Sequence, residues 1–180
     1  MTKIDGNKPC EIFRKTDYRD NGEHGIIEAR ETSSGMSEAL AEFHKHGFEA
    51  GQQVSMAYSR RGVSLTHVWF KSGHPLPLHA HSENCLYFLL AGSIRTGSEE
   101  LGLGDGFFAG GQNQHTYEMG PLRAEVLKFR ARDNIDIRFM VRKKSVWDKT
   151  IAKLKERRTD WIAEAPPNLF AATGNESQTR

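Results

Sequence analysis

Residues His79–Gly92 read HAHSENCLYFLLAG. Two histidines stand one residue apart, a cysteine follows a short polar turn, and an apolar run stops at a glycine. On an extended strand, residues i and i+2 point to the same side. His79 and His81 therefore face together, at a separation suited to chelating one metal ion. Cys85 opens the next run, in which Cys85, Tyr87 and Leu89 share a face.

Outward from this stretch, period-two alternation fills residues 52–141. QQVSMAYS puts Val54, Met56 and Tyr58 on one face, and VSLTHVWF follows it. In IDIRFMV, Ile135, Ile137, Phe139 and Val141 oppose Asp136, Arg138 and Met140. Glycines punctuate the runs at 73, 92, 97, 102, 104, 110 and 111. Short strands with closely spaced turn signals predict an all-β sandwich or barrel. His115 follows the glycine-rich stretch GDGFFAGGQNQ, and Tyr117 shares its face. Three neutral imidazoles from neighbouring strands would make a facial metal site with positions left open for ligands.

The spacing Gly73-x5-His79-x-His81-x3-Cys85-x6-Gly92 resembles the first motif of the cupin family, G-x5-H-x-H-x3-4-E-x6-G, with cysteine where glutamate is usual. Gly104-x5-Gly110-x-Gln112-x2-His115-x3-Met119 is similar to the second, G-x5-P-x-G-x2-H-x3-N. There the first glycine and the histidine are kept, and the Pro, the second Gly and the Asn are not. The resemblance implies a mainly β fold, a cupin-type jelly-roll β-barrel; it does not cover the flanks, which the residue pattern reads as an N-terminal and a C-terminal helical flank. It implies a divalent metal bound by His79, His81 and His115, with position 85 as the usual fourth ligand. Cys85 is open to three readings: a small buried hydrophobe, a ligand to a thiophilic metal such as zinc, or a modifier of the site cross-linked to Tyr87 or Tyr117. The last arrangement occurs in some thiol dioxygenases, which are also cupins.

The flanks divide the chain into an N-terminal arm and helix (1–51), the barrel (52–141) and a C-terminal helix and tail (142–180). The polar residues 1–35 predict an arm with little structure of its own and a short strand at EIFRK. SEALAEFHKHGF predicts a helix over 37–48, with Ser37 as cap. SVWDKTIAKLKERRTDWIAEA predicts a second helix, with Ser145 as N-cap and Asp148 three residues on. Its apolar stripe is Trp147, Ile151, Leu154, Trp161 and Ile162, and Pro166–Pro167 ends it.

The chain is 37% hydrophobic and 27% charged, enough to bury a core. A net charge of +2 is too mild to argue for nucleic acid as partner, and no stacking motif accompanies RKK or KLKERR. Two distant cysteines, Cys10 and Cys85, fit a reducing compartment. The start lacks an apolar signal region, and LYFLLA is too short to span a membrane. The expectation is a cytoplasmic protein without nucleic-acid or membrane partners.

The resemblance implies a mononuclear metal cupin acting as a dioxygenase on a small organic substrate, with Tyr87 and Tyr117 as candidate catalytic groups. Fe(II) is favoured over Zn, Ni, Mn or Cu. The alternatives are a non-catalytic cupin that binds a small molecule or metal, and a metal-dependent lyase or isomerase. Arg95, Arg123 and Arg130 are candidates to pair with a substrate carboxylate. The helical flanks and the need to cover an exposed barrel face predict a homodimer.

Overall fold

The computed structural model describes residues 10–30 and 37–165. In chain order the elements are β1 (Arg19–Asp20), α1 (Asn21–His24), β2 (Ile27–Ala29), α2 (Ser37–Lys45), β3 (Gln52–Arg60), β4 (Val63–Phe70), β5 (Pro75–Ala80), β6 (Cys85–Thr96), β7 (Glu99–Leu101), β8 (Gly106–Ala109), β9 (His115–Arg130), β10 (Ile135–Phe139) and α3 (Lys144–Ala163). The mainly β architecture with helical flanks is as expected.

The strands run β1-β3-β4-β9-β5-β10-β2, with β6 on β9, and β7 and β8 on β6. The long strand β9 curls the sheet. Its second half pairs with β4 (Val68↔Val126) and its first half with β5 (Leu76↔Tyr117). The same strand runs along β6, whose pairing with it shifts register around Gly92. Gly92 has φ +72°, and a Cβ there would lie 1.6 Å from the Arg123 carbonyl oxygen. Only glycine allows both the left-handed backbone and that close approach. The glycine that closes the opening stretch therefore marks a bend within β6 rather than its end.

Alternation then sorts the side chains. On β6, Cys85, Tyr87 and Leu89 are buried while Leu86 and Phe88 are exposed. The inner face meets a helical cover at one end. The Phe43 ring of α2 lies 4.3 Å from that of Phe48, 5.3 Å from Trp147 of α3 and 5.7 Å from Phe139 of β10. Two indole N–H groups fasten α3. Trp147 Nε1 donates to Val141 O at 3.1 Å, and Trp161 Nε1 donates to Ser72 O at 2.9 Å.

The flanks depart from expectation in four places. The arm is not unstructured: β1 pairs antiparallel with β3 and β2 pairs parallel with β10, covering both edges of the path. EIFRK forms no strand. Glu11 instead accepts from Tyr58 Oη and Arg60 at 2.7 Å each, and Phe13 packs on Tyr58, so side chains rather than a ladder hold it. Helix α3 begins at Lys144, and Lys143 stands at its N-cap without a side-chain cap bond. Ser145 is inside the helix, and Asp148 pairs with Lys144 at 2.7 Å instead of closing a capping box. Ile162 is 82% exposed, because the stripe turns past it after Trp161. The expected stop at Pro166–Pro167 lies outside the described residues.

Candidate metal centre

Two strands, β5 with the residue just past it and β9, deliver the histidines. His79 is the inward residue near the end of β5, His81 follows just past it, and His115 opens β9 opposite His79. Each ring is oriented through its Nδ1. His79 Nδ1 donates to Pro77 O at 2.8 Å, His81 Nδ1 to Asp136 O, and His115 Nδ1 to Asn113 O at 3.2 Å. That leaves Nε2 as the atom each ring can offer. One ligand nitrogen from each of the three lies within 4.8 Å of the others.

Electrostatics favour the neutral imidazoles that a metal needs. Burial, then the fields of His115 and His81, holds His79 well below the usual imidazole range. Burial and the nearby Arg130 guanidinium lower His81 to about 3. Burial also lowers His115. The His81 Nε2 is buried without a hydrogen-bond partner. Buried polar atoms are rarely left so, and a cation would satisfy it. The donor set therefore fits a divalent metal, with backbone carbonyls setting tautomer and ring angle as such sites require.

Among the described residues, this histidine cluster is the only group of three or more His, Cys, Asp or Glu placed to hold a metal. Cys85 is not part of it. It is fully buried on β6, across from Ala109 on one side and Arg130 on the other. Glu83 is half exposed and accepts from Arg132 at 3.4 Å.

The two tyrosines stand where the alternation put them, buried beside the histidines. Tyr87 donates its hydroxyl to His115 Nε2 at 3.2 Å and stacks on Phe107 with centroids 4.2 Å apart. Tyr117 lies 5.9 Å, ring to ring, from His79. Burial raises the hydroxyl pKa of both, so each is a hydrogen-bond donor and not an anion at neutral pH.

A cavity of about 140 Å³ opens beside the cluster. His79, His81, Val54, Val68, Leu76 and Phe139 are among its lining, together with Lys128 and Arg130. Of the three candidate arginines, Arg130 is the one that faces inward. Arg95 pairs with Glu118 at 2.8 Å on the surface, and Arg123 reaches the Ala165 carbonyl. Lys128 was not among the expected site residues. Its Nζ donates to Tyr117 Oη at 3.1 Å. In AEVLKFR, Ala124, Val126, Lys128 and Arg130 share one face, so two cations continue an apolar row.

No family profile and no curated protein matches the chain. Among solved structures, it is similar to the complex of Rhodobacter sphaeroides SigE with the anti-sigma ChrR, at 22% identity over 45% of this chain and 44% of that one, with TM-score 0.42. It thus spans less than half of that relative's length. It is also similar to an RmlC-like cupin from Shewanella frigidimarina, at 19% identity over 45% and 76%, with TM-score 0.41. A third is the polyketide cyclase RemF from Streptomyces resistomycificus, at 16% identity over 59% and 82%, with TM-score 0.49. The chain's own topology is a mainly β sheet curled through β9, with His79 and His81 at one cavity, His115 beside them and helices closing one end.

Proposed function

We propose that the protein is a mononuclear metal-dependent dioxygenase acting on a small organic substrate. One observation carries this reading. Three neutral imidazoles, each tethered through Nδ1 to a backbone carbonyl, converge beside a mostly apolar cavity. His79, His81 and His115 would hold the metal, with iron(II) favoured, and an all-neutral ligand set leaves its charge and open positions available to a chelating substrate and O₂.

The remaining tasks fall to the chain's own side chains. Val54, Val68, Leu76 and Phe139 line an apolar wall that excludes water from the substrate body. The Tyr87 hydroxyl donates to His115 Nε2 in the protein alone. A metal held by His115 would take that lone pair, and the hydroxyl would then be free to orient a ligand. Tyr117 is held by Lys128 and offers a second donor.

A second reading has an observation in its favour. Burial, then the field of Arg130, lowers Lys128 to about 7, so at neutral pH the amine is divided between its charged form and an uncharged form able to accept a proton. That suits a metal-dependent lyase or isomerase. The readings separate on substrate-dependent O₂ uptake by iron-loaded protein, screened with diketones and thiols. Uptake in step with product supports the dioxygenase. Equal turnover without oxygen favours the lyase or isomerase, and saturable binding without product leaves a binding module.

A further inference from the structure

Lys128 and Arg130 are two residues apart on β9 and therefore project from the same side of the strand. Both are more than nine-tenths buried, and both line the cavity that His79 and His81 line. Thr66 and Tyr87 flank Lys128 across the sheet, and Ser64 and Cys85 flank Arg130. Neither cation reaches a carboxylate among the described residues. The Lys128 ammonium touches the Tyr117 hydroxyl at 3.1 Å and sits 5.1 Å from the ring centres of Phe70 and Tyr87. Arg130 donates one Nη to Thr66 Oγ1 at 3.3 Å, and its Nε is buried without a partner. The one carboxylate on the cavity lining, Glu49, is bonded to His44.

A buried cation without a counter-ion is costly, and two side by side more so. Packing does not call for charge here. An uncharged side chain of similar length could fill either position, and Tyr117 and Thr66 need only a polar neighbour. Paired cations beside a cavity, with an unsatisfied N–H and no acid of their own, are arranged for an anion that arrives from outside. Arginine and lysine together suit a carboxylate, whose two oxygens can take one cation each.

We propose that Lys128 and Arg130 form an anion subsite, and that the substrate is a small organic acid whose carboxylate they bind while its other end lies toward His79 and His81. This names the substrate class of the site described above and, for the second half, rests on that reading.

Malonate and its uncharged analogue malonamide test the subsite. Binding is followed by titration calorimetry and ligand-detected NMR, in metal-loaded and metal-stripped protein. The expected result is a preference for malonate on the order of tenfold or more, as charge-assisted hydrogen bonds give. Lys128→Met and Arg130→Met should each remove most of that preference, and Lys128→Arg should restore part of it. Lys128→Met removes a buried charge, so its thermal midpoint is expected to equal or exceed that of the parent. Equal binding of malonate and malonamide by the parent protein overturns the proposal without any variant. So does a preference that survives both Met substitutions. If Cys85→Ser protein distinguishes the two compounds and the parent does not, Cys85 is the internal partner of the two cations and the proposal fails. Metal-stripped protein separates the two readings: a preference kept there upholds the subsite even if the metal reading falls.

Discussion

An imidazole can give a metal only the nitrogen that carries no proton, so the hydrogen bond on its other nitrogen decides whether it is a ligand. In this chain Pro77, Asp136 and Asn113 make that decision through their carbonyl oxygens. Asp136 has a second task. Burial works against its carboxylate, but hydrogen bonds from the Ser82 N–H and hydroxyl and the charge of Arg30 outweigh it and hold the group below the usual range. That knot fixes the chain just after His81. Asp136→Ala should cost about 2 kcal/mol in denaturant unfolding, the price of stranding buried donors. It should also weaken metal binding roughly tenfold in a competitive titration. Unchanged metal affinity with lost stability would show that the knot serves folding alone. The histidines were legible because their spacing is local and the strand period is two. Lys128 was passed over because a lysine in sequence looks like a solvated surface charge, and only the curl of β9 turns its side of the strand inward.

At the scale of elements, the helices read well and their ends did not. Trp147, Leu154 and Trp161 predicted the buried stripe of α3, since a seven-residue spacing, about two helical turns, reports a helix face directly. The start at Lys144 escaped prediction because no side-chain cap fixes it. Where α3 meets the β4–β5 turn, the chain buries His74 among Phe48, Phe70 and Trp161. His74 is fully buried, and both ring nitrogens lack partners. Burial, then the fields of Lys153, Lys128 and Lys71, lowers it to about 3. Between that value and the unfolded one near 6.5, the unfolded chain binds a proton that the native chain does not. Stability from this group is therefore full above about pH 6.5 and falls as pH drops, by up to ~1.4 kcal/mol per pH unit. His74→Leu should flatten that acid slope in urea midpoints measured from pH 7 to 4. An unchanged slope would place the acid sensitivity elsewhere.

At the scale of the molecule, the sheet leaves one apolar row uncovered. Phe108, Leu86 and Phe129 are cross-strand neighbours on β8, β6 and β9, and all three are exposed. The homodimer expected from the sequence would cover such a row. Light scattering should then give twice the 20.3 kDa chain mass, and Phe129→Glu should reduce it to the single mass. A monomeric parent protein at micromolar concentration contradicts the dimer. Among the described residues no helix is long and apolar enough to cross a membrane. The barrel itself was legible from alternation and glycine spacing. The pairing of β1 and β2 with distant strands was not, because a two- or three-residue strand carries no period to read. All of these features frame one central claim, that His79, His81 and His115 bind a metal. Its most direct test is elemental analysis of the purified protein, as isolated and after reconstitution, beside the His79→Ala, His81→Ala double variant. The expected result is close to one metal ion per chain in the parent and none in the variant. No bound metal in either protein after reconstitution would contradict it.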